Sequence, residues 1–187
     1  MKKTIIFLLA LALGMTSCFN KNSTSKEITK AETSSDNVVS KATTNNDAIR
    51  YDTYTNARFG FSIMYPTFLT PEPEPENGDG RIFSKGEDEE MSVYASYNVL
   101  DESIEELFKE CKNSYIGNVS YAVQKDNWFV VSGTNEEGTI LYRKTILTDD
   151  VEYTVNLIYP KAKKQIYDEI VEKVTKSFDI DLEVIYE

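Results

Sequence analysis

An α+β fold, an antiparallel β-sheet packed with α-helices, is what this sequence predicts, and three observations predict it. From Tyr51 onward the chain alternates strand-like and helix-like stretches in the order strands, helix, strand meander, helix. The clearest strand is Val151, Tyr153, Val155, Leu157 and Tyr159, set against Glu152, Thr154, Asn156 and Ile158. The clearest helix has Ile104, Leu107, Phe108, Cys111 and Tyr115 at helical spacings. With 41% hydrophobic and 12% aromatic residues in 187, this region has the apolar matter for a real core, and 51–187 is expected to be one domain.

Taken in order, Phe59, Phe61, Ile63 and Tyr65 alternate with small or weakly polar neighbours, which predicts a strand ended by Pro66. Gly60 inside it marks a bulge or a close backbone approach. Pro71, Pro73 and Pro75 then interleave with Glu72, Glu74 and Glu76 in a stiff acidic loop that closes on Asn77-Gly78-Asp79-Gly80. Strands follow at 81–84 and 91–99, where Met91, Val93, Ala95, Tyr97 and Val99 are expected to share a face. The helix is expected over 101–115, capped by Asp101 or Ser103, with Glu102, Glu105 and Glu106 in its first turn. A meander over 119–124, 128–134 and 139–147 leads into the strand at 151–159. After Pro160 a second helix over 161–178 places Ala162, Ile166, Ile170, Val174 and Phe178 on one stripe. The tail at 179–187 alternates through Ile180, Leu182, Val184 and Tyr186, as a last edge strand would.

The first 17 residues are an address. Lys2 and Lys3 precede a nine-residue apolar run, Ile5 to Leu13, too short to cross a bilayer, which takes about 20 residues. The run ends in Met15-Thr16-Ser17-Cys18, which resembles a bacterial lipobox with Met where Leu is commonest. That resemblance implies removal of residues 1–17 and acylation of Cys18. Acyl chains held at about 0.8 kcal/mol per buried methylene make a lasting anchor when there are two or more of them. Residues 18–50 are then the lipidated tether. Phe19 to Arg50 holds five Ser, five Thr and five Asn with no Gly or Pro, too little apolar surface to offset its ordering entropy. Random-coil scaling puts the tether's ends roughly 30 Å apart.

The block Arg58-Phe59-Gly60-Phe61-Ser62-Ile63-Met64-Tyr65-Pro66, the long hairpins ending in Tyr159-Pro160 and a closing helix that reaches Phe178 resemble the PsbP-like fold superfamily. Its members include an extrinsic photosystem subunit, DcrB-type bacterial envelope lipoproteins and a Ran-binding import factor. The resemblance implies an α/β/α sandwich over 51–178 and accessory or assembly work on a larger complex. It implies no shared catalytic residues, and this chain has no residues matching an ion site of the photosystem subunit.

Composition narrows the chemistry. There is no His among the 187 residues, which excludes Ser-His-Asp and Cys-His hydrolysis and imidazole-ligated zinc. Two Cys cannot build a thiolate-only metal site. Thirty-one acidic against 20 basic residues, a net charge of -11, opposes nucleic-acid binding, which needs cations to displace counterions from phosphates. Cys111 lies on the apolar stripe with Leu107 and Phe108 and reads as core, with no disulfide to Cys18 expected. The acidic residues Glu72, Glu74, Glu76 and Asp79, with Glu87 to Glu90 beyond them, are hard oxygen ligands of the kind calcium takes. Set against the D-x-[DN]-x-[DN]-G loop, however, Pro75 would fall at the first ligand and Gly86 at the last. No nucleophile elbow, P-loop or dinucleotide fingerprint occurs. Trp128, Tyr97, Tyr121, Tyr142 and Tyr153 suit either a core or an interface anchor, and most of them sit on strand faces at core spacing. Tyr94 falls on the opposite face, on a surface patch or beneath a second helix layer.

The expectation is therefore a non-enzymatic binding or assembly factor of the bacterial cell envelope, anchored through Cys18 to the outer membrane and facing the periplasm, with an envelope protein as partner. No cofactor, catalytic residue or nucleic acid is expected. The alternative is a small-ligand or divalent-cation-binding lipoprotein that uses the acidic loop at 72–79.

Overall fold

The computed structural model describes residues 48–181, which lie in one compact unit, Asn45–Glu187. Cys18, the leader, most of the tether and the tail at 182–187 lie outside the described residues. The fold is the α+β architecture expected: two antiparallel sheets and two helices.

A hairpin of β1 (Tyr51–Asn56) and β2 (Phe61–Pro66) opens the domain. The expected strand from Phe59 is therefore shorter, because Phe59 and Gly60 belong to the turn. Gly60 takes the left-handed φ of 59°, which a Cβ disfavours, and Asn56 fixes the turn by accepting from the Phe59 amide at 2.8 Å. β3 (Thr70–Pro71) precedes the acidic loop, and β4 (Gly80–Lys85) and β5 (Glu89–Tyr97) follow it as a hairpin. The first helix, α1 (Ile104–Asn113), starts after Ser103, one of the two expected caps. Ser103 and Glu106 form a reciprocal capping box there. β6 (Asn118–Gln124), β7 (Trp128–Thr134), β8 (Thr139–Thr148) and β9 (Val151–Pro160) complete the large sheet, whose order is β3-β4-β5-β9-β8-β7-β6. A 3-10 turn, Lys161–Lys163, leads into α2 (Lys164–Lys176). Then β10 (Asp179–Ile180) pairs antiparallel with β2, so the start of the expected edge strand joins the small sheet.

Both faces of the seven-stranded sheet are covered. On one face the small sheet and α2 bury Phe61, Ile63, Tyr167, Ile170 and Val174 against Met91, Val93, Tyr153, Val155 and Leu157. On the other, α1 packs Ile104 and Cys111 onto Phe129 and Val131. One outer layer is thus a helix beside a three-stranded sheet.

Two expected faces are rotated. In α2 the buried stripe is Tyr167, Ile170 and Val174, while Ala162 and Ile166 are exposed. Steps of four residues advance about 400°, so a row of such steps drifts off any one face. The observed spacing of three and four corrects the drift. In β5 the buried face ends at Ala95. Tyr97 and Val99 are 54% and 85% exposed, because pairing stops at Tyr97 and the chain turns toward α1.

Candidate functional site

The four loop acids that sequence offered as weak metal candidates are held apart. Glu74 accepts a hydrogen bond from the Tyr54 hydroxyl at 2.7 Å. Burial and that carboxylate push the Tyr54 phenol up to about 12. Asp79 accepts from Arg58 at 2.5 Å and from the Asn77 amide at 2.5 Å. Glu76 is exposed. Glu72 is held by its backbone, whose amide donates to Ile82 and whose carbonyl accepts from Arg81 Nε at 2.9 Å. Among the described residues no group of three or more Cys, Asp or Glu side chains is placed to hold a metal ion. The loop does close over a space of about 490 Å³, lined by Glu72, Pro73, Glu90, Ser92 and Tyr94. This is where the outward face of β5 sends Tyr94. Burial, and then the nearby Glu72, hold the Glu90 carboxyl above the usual carboxylate range.

Glu89, its neighbour, does something the sequence reading missed. It is 6% exposed on the core face, where it accepts from Lys163 Nζ at 2.7 Å and from the Tyr167 hydroxyl at 3.1 Å. Tyr167 stacks on Tyr159 with ring centroids 4.1 Å apart and planes 7° off parallel. One carboxylate thus pins the start of α2 to the β4–β5 turn. The signal was available: Glu89 shares its parity with Met91, Val93 and Ala95, and a carboxylate on a buried face must find partners.

Cys111 is buried beneath α1, and its thiol is raised by that burial, with Arg143 pulling the other way. A polar row crosses the sheet on this face. Arg143 Nε donates to Asn156 at 2.8 Å, Asn156 Nδ2 to Ser92 at 3.2 Å, and Thr145 and Thr154 share a hydroxyl bond of 2.9 Å. Nearby, burial and the charges of Glu102 and Glu110 raise the Glu152 carboxyl.

An open space of about 570 Å³ lies between α2 and the β6–β8 end of the sheet, lined by Tyr121, Tyr142, Ser132, Thr134, Lys161 and Lys164. Tyr142, pushed to about 12 mainly by burial, forms its wall, and Tyr121 is 52% exposed at the rim. Lys164 is paired with Asp168 at 2.7 Å. Trp128 is half-buried with Lys144 Nζ 5.6 Å from its ring, and Tyr153 is fully buried, its hydroxyl donating to the Phe59 carbonyl.

No protein-family model matches the sequence, and no characterised protein matches it at the sequence level. Several solved structures resemble the fold, two of them at a TM-score of 0.50 or above. One is the solution structure of cyanobacterial PsbP (CyanoP) from Synechocystis sp. PCC 6803, at TM-score 0.53 and 14% identity, covering 73% of this chain and 96% of that one. The other is the Ran-binding protein Mog1p of Saccharomyces cerevisiae, at TM-score 0.50 and 10% identity, covering 73% of this chain and 99% of that one. At these identities the likeness concerns the fold, and the chain carries the PsbP-like α+β fold.

Proposed function

We propose that this protein is a non-enzymatic binding or assembly factor of the bacterial cell envelope, a DcrB-type lipoprotein held to the outer membrane through Cys18 and facing the periplasm, with a basic envelope protein as partner. The observation that carries this reading is the acid surplus on the folded surface. The net charge of -11 leaves at least eleven acids that no basic side chain can match one for one, and Glu87, Asp88, Glu136, Glu137 and Asp150 are exposed. Such a surface speeds encounter with a basic partner and keeps strangers of like charge away. The groups best suited to chemistry support the same reading, since Glu74, Asp79, Glu89 and Arg143 are each engaged in bonds that hold the fold. Chemical crosslinking in intact cells tests it: adducts with another protein are expected, and recovery of the monomer alone across conditions contradicts it.

The space of about 490 Å³ under the proline loop favours a second reading, a small ligand or cation held between Glu72 and Glu90. Melting curves with and without millimolar calcium discriminate, because a ligand of the folded state raises the melting temperature. No shift with divalent cations removes the metal version.

A further inference from the structure

Most large apolar side chains of the described domain are buried, and two neighbours are conspicuously not. Val99 is 85% and Leu100 75% exposed, side by side in the turn between β5 and α1. The turn around them is built rather than loose. The Asn98 amide donates to the Asp150 carbonyl at 2.6 Å, and the Asp101 amide to the Asn98 carbonyl at 3.1 Å. The Asn98 side chain both donates to the Glu102 carbonyl at 2.8 Å and accepts from the Glu102 amide at 3.1 Å. Asp101 holds a left-handed φ of 53° to close it. A turn so tied, with Asp101 in a conformation few residues adopt, presents two aliphatic side chains to water in a fixed pose. Fixing a contact loop in advance lowers the ordering cost of binding.

The surroundings name the partner's chemistry. Asp101 and Glu102 follow the pair directly, Asp150 is held to the preceding Asn98 by its backbone carbonyl, and Asp101 and Asp150 are exposed. Anionic lipid would be repelled by this rim, whereas a protein pocket edged with cations is drawn to it. We propose that Val99 and Leu100 are the docking tip of this domain, inserting into an apolar pocket of a partner protein whose rim carries Lys and Arg. This deepens the binding reading above and rests on it. The tip also lies at the end of the sheet opposite the entry of the chain. Phe59 of the β1–β2 turn touches Tyr97, at 5.3 Å between rings, while Arg50 lies at the other end of that hairpin, its carbonyl accepting from Thr67.

The test places the photoreactive residue benzoylphenylalanine at Leu100, and separately at Ile166 on α2, in the full chain expressed in the cells that make it. Adducts from Leu100 to another protein are expected, mapped to apolar residues flanked by Lys or Arg. The yield should drop about tenfold when Asp101→Asn and Asp150→Asn neutralise the rim, Asn being tolerated at the left-handed position. Val99→Ser should reduce it similarly with an unchanged melting temperature. Protein adducts from Ile166 with none from Leu100 would overturn the tip and leave the binding reading standing. Adducts from Leu100 to lipid, to its own chain or to a second copy would overturn it equally. Failure of both positions, together with failure of chemical crosslinking, would remove the binding reading itself.

Discussion

At the residue scale, position and parity decide what each group does. Gly80 opens β4 under β5, and a Cβ there would lie 2.0 Å from the Val93 carbonyl and 2.6 Å from the Tyr94 Cα, both backbone atoms that cannot swing aside. Gly80→Ala is expected to destabilise by about 1–3 kcal/mol, read from chemical denaturation, as overpacking does. Glu90 and Glu152 have carboxyls raised by burial and by neighbouring acids, so ionising them costs more in the folded chain than in the unfolded one. The stability tied to their neutral forms is present below the ordinary value of 4.5 and is lost as pH rises through the raised values. Glu90→Gln and Glu152→Gln should therefore melt above the parent at neutral pH, with the gain vanishing near pH 4. A gain that persists in acid would point to packing instead. Glu106 has the opposite sign: hydrogen bonds from Ser103 lower its carboxyl, and what it contributes is lost as pH falls.

At the element scale, much of the secondary structure was legible because successive residues of a strand point to opposite faces of the sheet, so each packed face repeats every second residue. The strand at 128–134 matches β7 residue for residue, and the meander through β9 shifts by at most one residue at an end. What was not legible required partners distant in sequence. The hairpin turn at Phe59 depends on Asn56, which also donates to the Gly78 carbonyl at 2.8 Å, 22 residues away. The face of α2 depends on Tyr167 finding Glu89 and Tyr159, which periodicity alone does not show. Among the site candidates, the arrangement of the acids was not legible in the sequence. Glu74 and Asp79 are drawn off by Tyr54 and Arg58, whereas Glu90, named only with the acids beyond the loop, lies near Glu72. The capping of α1 was legible, and Ser103→Ala should cost about 1 kcal/mol, measured by thermal or urea unfolding. The Cys111 cluster beneath α1 should loosen with it, which increased thiol labelling would report.

At the scale of the whole molecule, the net charge of -11 acts on folding and on binding in opposite ways. Self-repulsion among the acids is screened by salt, so the melting temperature should rise as ionic strength goes from about 10 mM to about 150 mM, where the screening length falls toward 8 Å. Association with a basic partner should weaken over the same range, chiefly through a slower on-rate. A melting temperature that falls with salt would mean that attractive ion pairs, such as Lys163 with Glu89, outweigh the repulsion. No helix among the described residues is long and apolar enough to cross a membrane, and the attachment proposed above is the lipid on Cys18. The measurement that tests that attachment most directly is mass spectrometry of the N-terminal peptide of the protein extracted from membranes. The account predicts a mature chain that begins at Cys18 and carries at least two acyl chains. A chain beginning elsewhere, or a Cys18 without lipid, would contradict it.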